Sequence, residues 1–184
     1  MTRIEQLLHN YKQFISLPWT SLTSGAERIW FCVYNKMDER RLRPRLGEFE
    51  IATKQSKHGW YLVDLTQSFA EWLSSEDYKE EFFQNPEDIK PALDEFKQSV
   101  KENVISQLET SSENDVVAIL GIASLFGFMR VSELVKAVKD KVKGRLVVFF
   151  PGEYDGNNCY RLLDARDGWN YLALPITCHE RALS

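Results

Sequence analysis

The chain has 184 residues, of which 43% are hydrophobic and 27% are charged, and its formal net charge is −4 at pH 7. These values are typical of a globular protein with one full-sized core, so we expect a single domain over residues 1–184, with an N-terminal helix (1–17) and a short tail (178–184). The negative charge argues against a protein whose whole surface binds nucleic acid, and the sequence shows neither a signal peptide nor an apolar run of transmembrane length, so we expect a cytoplasmic protein without membrane contact.

Hydrophobic spacing predicts the elements of the amino-terminal part. Apolar residues three and four positions apart indicate amphipathic helices, and short continuous apolar runs indicate buried strands. In chain order, the predicted elements are a helix over Arg3–Ile15, a polar loop over Thr20–Gly25, a strand over Ile29–Tyr34, a loop over Asn35–Arg43, a helix from Pro44 to about Lys57, and a strand over Trp60–Leu65.

The same spacing predicts the elements of the remaining chain. In order, they are helices over Gln67–Leu73 and Glu76–Gln84, a long helix from Asn85 to Leu108, a strand over Val116–Leu120, a helix through Val131 to Val142, a strand over Leu146–Phe150, and two extended segments, Cys159–Leu163 and Trp169–Leu174, separated by a turn at residues 165–168. The last two segments indicate an antiparallel hairpin or sheet edge.

The stretch from Asp115 to Gly156 organises the chain. Two strands that are apolar on both faces flank an amphipathic helix, and we expect Gly144 to end that helix in the left-handed conformation. This unit is a right-handed strand–helix–strand crossover. Strands that alternate with helices predict a three-layer α/β fold, in which a mostly parallel sheet has helices on both faces and an antiparallel hairpin or edge near the carboxyl terminus.

One edge of this sheet is the expected place for a functional site. The loops that leave the carboxyl ends of parallel strands gather along one edge, which is where open α/β sheets bind ligands. In this chain that edge would hold Asn35–Arg43, Asp64–Gln67, Gly121–Arg130 and Pro151–Gly156.

Nucleotide binding and nucleophilic catalysis have little support in the sequence. A phosphate-binding loop needs glycines and a lysine, whereas the segment from Gly121 to Gly127 has no lysine and an apolar interior, which favours a packed loop. Asp64 resembles a Walker B carboxylate by position alone. The histidines lack the spacing of metal ligands. The cysteines show no C-x-x-C pair, which is typical of reduced thiols in a cytosolic protein. We therefore expect no cofactor. These histidines and cysteines are His9, His58, His179, Cys32, Cys159 and Cys178.

A metal-dependent nuclease or hydrolase is one alternative function. Glu153 and Asp155 lie at the tip of a core strand, and Asp64 could come near them, so that three carboxylates would hold Mg²⁺ or act as acid and base. The Pro-Gly and Asp-Gly dipeptides of the same tip are also ordinary turn chemistry, with Gly152 and Gly156 supplying a positive φ. We favour the turn interpretation.

A cluster of arginines precedes the predicted helix at Pro44. Cations at a helix amino end oppose the helix dipole by up to ~1 kcal/mol each, so a cluster there suggests an anionic partner, either nucleic acid phosphate or an acidic protein surface. The alternative is a solvated loop whose charge is compensated by Asp38, Glu39 and Glu48. The acidic segment Glu76–Glu81 is either a complementary docking surface or a solvated helix face. The arginine cluster consists of Arg40, Arg41, Arg43 and Arg45.

Several motifs resemble one protein family. They are ILGIASLFGFMR ending in Arg130, the block FFPGEYDG over Phe149–Gly156, and the later segments CYRLL and WNYLALPI. In these motifs the chain is similar to the BrxB family, a small component of the BREX (bacteriophage exclusion) defence systems of bacteria and archaea. IWFCVYN and WYLVDL extend the resemblance more loosely into the amino-terminal half.

The resemblance implies a function within a defence operon. Such an operon also encodes a site-specific DNA methyltransferase, a large ATPase and a PglZ-type protein of the phosphatase superfamily. We interpret the chain as a non-catalytic adaptor that docks on the PglZ-type protein; a subunit that contacts DNA or nucleotide through the arginine cluster is a second alternative. Arg130 either anchors a partner or ties its loop to the next helix. The candidate interaction residues are Arg40, Arg41, Arg43, Arg45, Arg130, Glu153, Tyr154 and Asp155.

Overall fold

The computed structural model describes residues 1–19, 25–164, 169–170 and 172–179. Within these residues, seven strands form one sheet. The strands are β1 (Ile29–Tyr34), β2 (Gly59–Asp64), β3 (Asp115–Leu120), β4 (Arg145–Gly156), β5 (Cys159–Leu162), β6 (Trp169–Asn170) and β7 (Leu174–Ile176). Five of them lie in the order β2-β3-β4-β1-β7, and every neighbouring pair on this path is parallel.

Helices cover both faces of the sheet, which confirms the predicted three-layer α/β fold. One face carries α1, α2 and α3, and the other carries α4, α6 and α7. The helices are α1 (Arg3–Ser16), α2 (Glu39–Leu42), α3 (Leu46–Gln55), α4 (Ser68–Ser75), α5 (Lys79–Gln84), α6 (Ile89–Thr110) and α7 (Val131–Val138). No helix of the described residues is both long and apolar enough to cross a membrane.

Local sequence explains where the two longest helices begin. At the start of α1, the Thr2 hydroxyl accepts the Glu5 N–H (3.3 Å) and the Glu5 carboxylate accepts the Thr2 N–H (2.7 Å), a reciprocal capping box. Before α6, Pro86–Asp88 forms a 3-10 turn. Pro91 is tolerated inside α6 because it lies in the first turn, where backbone N–H groups have no helical partner to lose.

The central strands are buried on both faces because their sequences are continuously apolar. Val148 of β4 lies opposite Phe31 of β1 and Ile119 of β3, and all three side chains belong to the same core. Phe31 also stacks on Phe150, with ring centroids 5.2 Å apart. The two β-branched and aromatic runs that organise the sequence are therefore adjacent at the centre of the sheet, as predicted.

Gly144 does not end a helix in the left-handed conformation, so that prediction is wrong. α7 ends at Val138 and a 3-10 turn continues to Lys141, while among the glycines that the structure describes a positive φ occurs at 121, 127 and 156. A Cβ atom on Gly144 would lie 2.1 Å from the Asp115 carbonyl oxygen. Glycine is needed there because two backbones approach closely, a requirement that only the strand pairing creates.

The carboxyl-terminal part contains the predicted antiparallel hairpin, although its boundaries differ. β4 continues through Pro151–Gly156, which were predicted as a loop, because this segment pairs antiparallel with β5. Gly152 also lacks the positive φ that the turn interpretation predicted. Glycine is needed there because the Arg161 carbonyl oxygen lies so close that a Cβ atom on residue 152 would be only 1.9 Å from it. The predicted segment Trp169–Leu174 is divided between β6, which pairs with β5, and β7, which lies parallel to β1. The predicted turn at residues 165–168 lies outside the described residues.

Candidate functional site

A cavity of about 300 Å³ lies at the carboxyl edge of the parallel sheet. The ends of β1, β2, β3 and the parallel part of β4 all contribute to it, so the loops that the sequence predicted at this edge do meet there. Its lining residues are Tyr34, Lys36, Glu39, Arg43, Thr66, Gly121, Ala123, Ser124, Pro151 and Leu163. Lys36 forms an ion pair with Asp164 at the rim.

Arg43 is the centre of a polar network on the cavity wall. Its Nε donates to Glu39 Oε1 (2.7 Å) and its Nη2 to Thr66 Oγ1 (2.8 Å), while Nη1 lies 3.7 Å from Asp64 Oδ2. The Tyr34 hydroxyl donates to the other oxygen of Glu39. Burial, followed by the Glu39 carboxylate, raises the pKa of Tyr34, so the phenol stays protonated and acts as the donor.

The loops after β2 and β3 are fixed against each other by a close backbone contact. Gly121 has a φ of +79°, and a Cβ atom there would lie 2.5 Å from both the backbone nitrogen and Oγ1 of Thr66. Asp64 Oδ1 accepts the Thr66 N–H at 2.9 Å, and the Ser124 hydroxyl donates to the Leu65 carbonyl at 2.8 Å. The cavity wall is thus preorganised by backbone geometry.

The loop tested as a phosphate-binding loop packs into the core. Ile122–Leu125 forms a 3-10 turn, and the side chains of Ile122 and Leu125 at its two ends are buried. Gly127 supplies a second positive φ in an open position, where an added Cβ atom would have no other atom within 4 Å. This arrangement agrees with the packed-loop interpretation of the sequence.

The arginine cluster lies within a helical segment that continues into α3, which corrects the predicted loop over Asn35–Arg43. Helical turns begin at Lys36, because Asn35 Oδ1 accepts the Met37 N–H at 2.9 Å and caps the segment. Pro44 does not start the helix; it lies in a 3-10 turn between α2 and α3, where its missing N–H interrupts the α-helical hydrogen bonds without ending the helical segment.

Three of the four clustered arginines pair with the acids that the sequence offered as compensation. Arg41 pairs with Asp38 (3.1 Å), Arg43 with Glu39 (2.7 Å), and Arg45 with Glu48 (2.6 Å). The Asp38 side chain is buried and also forms an ion pair with Arg3 (Nε to Oδ2, 2.7 Å), and Arg45 forms a second ion pair with Glu5 at 3.3 Å. The sequence identified this compensation as an alternative to partner binding, but these ion pairs do not occupy the whole cluster.

An exposed stripe runs along the same helical segment and includes Arg40, for which the described residues show no ion pair, and Arg41, which stays exposed despite its pair with Asp38. We call Met37, Arg40, Arg41 and Pro44 the arginine stripe; all four are exposed, at positions i, i+3, i+4 and i+7. Met37 is 76% exposed, so its thioether side chain is open to a partner. Met37 was not among the predicted interaction residues, because a single methionine in a polar segment carries no signal until its helical neighbours are known.

Glu153, Tyr154 and Asp155 lie on the extension of β4. Glu153 and Asp155 both form ion pairs with Arg161 of β5, and the distance from Arg161 Nε to Asp155 Oδ2 is 2.6 Å. The hydrogen bond from Arg161 holds the pKa of Asp155 below its usual range. Tyr154 packs on Tyr160, with ring centroids 4.8 Å apart. These carboxylates therefore tie the hairpin together, whereas Asp64 belongs to the network around Arg43. Within residues 1–19, 25–164, 169–170 and 172–179, no group of three or more His, Cys, Asp or Glu side chains is arranged to hold a metal ion.

Arg130 and the acidic segment lie away from this cavity lining. Arg130 is exposed immediately before α7, and its carbonyl accepts the Glu133 N–H at 3.0 Å. In the acidic segment the helix is shorter than predicted, since α5 covers only Lys79–Gln84. Tyr78 and Phe83 are exposed beside the acids, so this surface is aromatic as well as negatively charged.

Comparison with known proteins gives one match. The family described as BREX protein BrxB matches residues 62–176, which is more than half of the chain and includes β3, α7 and the β4–β5 hairpin. Searches of the curated proteins and of the solved structures found no match. The resemblance seen in the sequence motifs is thereby confirmed: the chain belongs to the BrxB family and is a component of a BREX defence system.

Proposed function

We propose that this BREX component is a non-catalytic adaptor that docks on the PglZ-type protein of its system. The observation that carries the proposal is the arginine stripe. Arginine and methionine are enriched in protein interfaces, and a guanidinium offers up to five N–H donors to an acidic surface. Arg41 is held in place by Asp38, so it is already oriented before a partner arrives, which reduces the entropy lost on binding.

The carboxylates near the sheet edge support a binding role over a catalytic one. A general base or metal ligand needs a lone pair directed at substrate or metal. Here Glu39 accepts from Tyr34 and Arg43, Asp64 accepts from Thr66, and Glu153 and Asp155 accept from Arg161. Their hydrogen bonds maintain the cavity wall and the hairpin.

Reversing the charge of the arginine stripe should abolish docking without unfolding the chain. The variant Arg40→Glu/Arg41→Glu changes two exposed side chains, and the buried Asp38 keeps Arg3 as its partner. We expect binding to the PglZ-type protein to weaken by ~2 kcal/mol or more, about 30-fold in Kd. The measurement is co-purification from the native operon followed by quantitative pull-down, together with a thermal melt.

The matched control reverses two lysines elsewhere. Lys136 and Lys139 on and after α7 are also exposed, and Lys136→Glu/Lys139→Glu produces the same change in net charge. This control should co-purify like the wild type. If both variants lost binding to the PglZ-type protein equally, net charge alone would explain the effect, and the arginine stripe would not be the docking surface. If the arginine variant still binds the PglZ-type protein and instead loses binding to DNA, the cluster belongs to nucleic acid and the adaptor surface lies elsewhere.

The enzyme alternative makes a separate prediction. Purified protein should show no ATP turnover and no Mg²⁺- or Mn²⁺-dependent nuclease activity, and Asp64→Ala and Glu153→Ala should leave partner binding nearly intact. We expect Asp64→Ala to cost about 1 kcal/mol of stability, because it removes the acceptor for the Thr66 N–H. Metal-dependent cleavage that disappears in these variants would replace the adaptor proposal with a hydrolase.

A further inference from the structure

Two arginines lie together at the opposite, amino-terminal edge of the sheet. β1 and β4 pair with Ile29 opposite Leu146, so the preceding residues, Arg28 and Arg145, are neighbours. Both guanidinium groups bind the segment before β4: Arg28 Nη1 donates to the Val142 carbonyl (3.2 Å) and Arg145 Nη1 to the Gly144 carbonyl (3.1 Å). Two like charges are therefore held side by side by the strand register.

Aromatic rings enclose the second of these arginines. The guanidinium carbon of Arg145 lies 4.6 Å from the centroid of the Trp19 ring and 5.7 Å from that of Trp30. The Trp19 ring also stacks on His58, at 3.7 Å and an interplanar angle of 3°. Arg145 is only 6% exposed. Such cation–π contacts offset only part of the free energy needed to bury a guanidinium charge.

Three buried N–H donors of this group lack a hydrogen-bond partner. They are Nε of Arg28, Nε of Arg145 and the indole Nε1 of Trp19. Within the described part of the chain, neither arginine forms an ion pair with a carboxylate. Burial, and then the charge of Arg28, lowers the pKa of Arg145, while the exposed Glu27 acts in the opposite direction. Buried unpaired donors on neighbouring cations are the chemistry of an anion site.

We propose that Arg28, Arg145 and Trp19 bind a phosphate group, either the free ion or the terminal phosphate of a small ester. Guanidinium groups match the oxygens of a tetrahedral oxyanion, and the indole N–H adds a neutral donor. The enclosure of Arg145 favours a small or terminal phosphate over the backbone phosphate of a nucleic acid, which carries a sugar on both sides. This site is separate from the arginine stripe, so evidence against phosphate binding here would leave the adaptor proposal unchanged.

Thermal unfolding in inorganic phosphate tests the site. At constant ionic strength, with chloride as the reference anion, we expect a rise of about 5 °C in the wild-type midpoint by ~10 mM phosphate, and a further increase with the logarithm of phosphate concentration. This logarithmic dependence distinguishes binding from the general stabilising effect of phosphate, which grows linearly with concentration. Arg28→Gln should raise the apparent Kd for phosphate at least tenfold, whereas Lys136→Gln, at an exposed lysine outside both proposed sites, should respond like the wild type.

A second variant keeps the proposal testable if Arg28→Gln is poorly folded. Arg145→Met removes a buried charge that has no ion pair within the described residues, so in phosphate-free buffer it should be at least as stable as the wild type, and its midpoint in ~10 mM phosphate should equal that in chloride. A parallel titration with adenosine monophosphate assigns the source: a response equal to that of inorganic phosphate identifies a terminal ester, and a response to inorganic phosphate alone identifies the free ion. The proposed phosphate site would be ruled out if the wild-type unfolding midpoint were the same in phosphate and in chloride. It would also be ruled out if phosphate raised the midpoint of Arg28→Gln as much as that of the wild type.

Discussion

Val148→Asp should leave the chain unfolded at 25 °C. Val148 is 1% exposed at the centre of β4, between Phe31 on β1 and Ile119 on β3, and its surroundings are apolar. A buried carboxylate without a partner costs several kcal/mol, which is a large part of the ~5–15 kcal/mol that stabilises a typical domain. Near-ultraviolet circular dichroism and urea unfolding of the purified variant are the measurements.

Val148→Thr is the matched control, because threonine has nearly the same shape and replaces one methyl group by a hydroxyl. We expect it to remain folded and to lose ~1–3 kcal/mol. Leu62→Asp, on the exposed edge strand β2, should have a much smaller effect than Val148→Asp. A Val148→Asp protein with native-like melting would contradict the placement of β4 at the sheet centre.

Gly121→Ala should be the most damaging small substitution at the cavity. Two costs add there. An L-residue at a φ of +79° loses ~1–2 kcal/mol, and the new Cβ atom must displace the Thr66 backbone nitrogen from 2.5 Å. Forced displacement in a packed site costs ~1–3 kcal/mol more, so we expect a loss of about 2–5 kcal/mol in chemical denaturation.

Gly127→Ala separates these two costs. Gly127 has a similar φ of +86°, but a Cβ atom there meets nothing within 4 Å. The free energy of unfolding of Gly127→Ala should fall by only about 1 kcal/mol, and by less if alanine also reduces the conformational freedom of the unfolded chain. Equal losses at the two glycines would show that the contact between Gly121 and Thr66 does not fix the two loops against each other.

The elements that the sequence predicted well are those with strong local signals. Ile29–Tyr34 is a strand with the predicted boundaries, and the helix predicted over Arg3–Ile15 is α1 with one further residue. Both have continuous or periodic apolar patterns, which depend on nearest neighbours alone. The layered fold follows from the alternation of such elements.

Predictions failed where a residue's role depends on another part of the chain. Gly144 and Gly152 are glycines because of Asp115 and Arg161, to which only strand pairing brings them close. The loop before Pro44 is helical because Asn35 caps it, and a cap is a weaker sequence signal than a proline. Boundaries therefore moved even where the type of element was right.

For the candidate sites, too, the sequence predicted the location of the cavity but not which residues meet there. The edge that holds the cavity follows from the order of strands and loops, and the sequence predicted it. The partners around the cavity do not follow, because Arg43 meets Thr66 only through the packing of two loops. Arg28 and Arg145 are 117 positions apart (145 − 28) and become neighbours only through the register of β1 and β4. No local pattern marks either arginine.

Direct titration of the two purified proteins tests whether this chain docks on the PglZ-type protein. We expect this chain and the PglZ-type protein of its operon to form a complex without any other BREX component, with a dissociation constant of about 1 µM or tighter, which is typical of a specific interface. Calorimetry or size-exclusion chromatography of the mixture would measure it. If correctly folded wild-type protein forms no complex at ~50 µM of each partner, the adaptor does not dock on the PglZ-type protein.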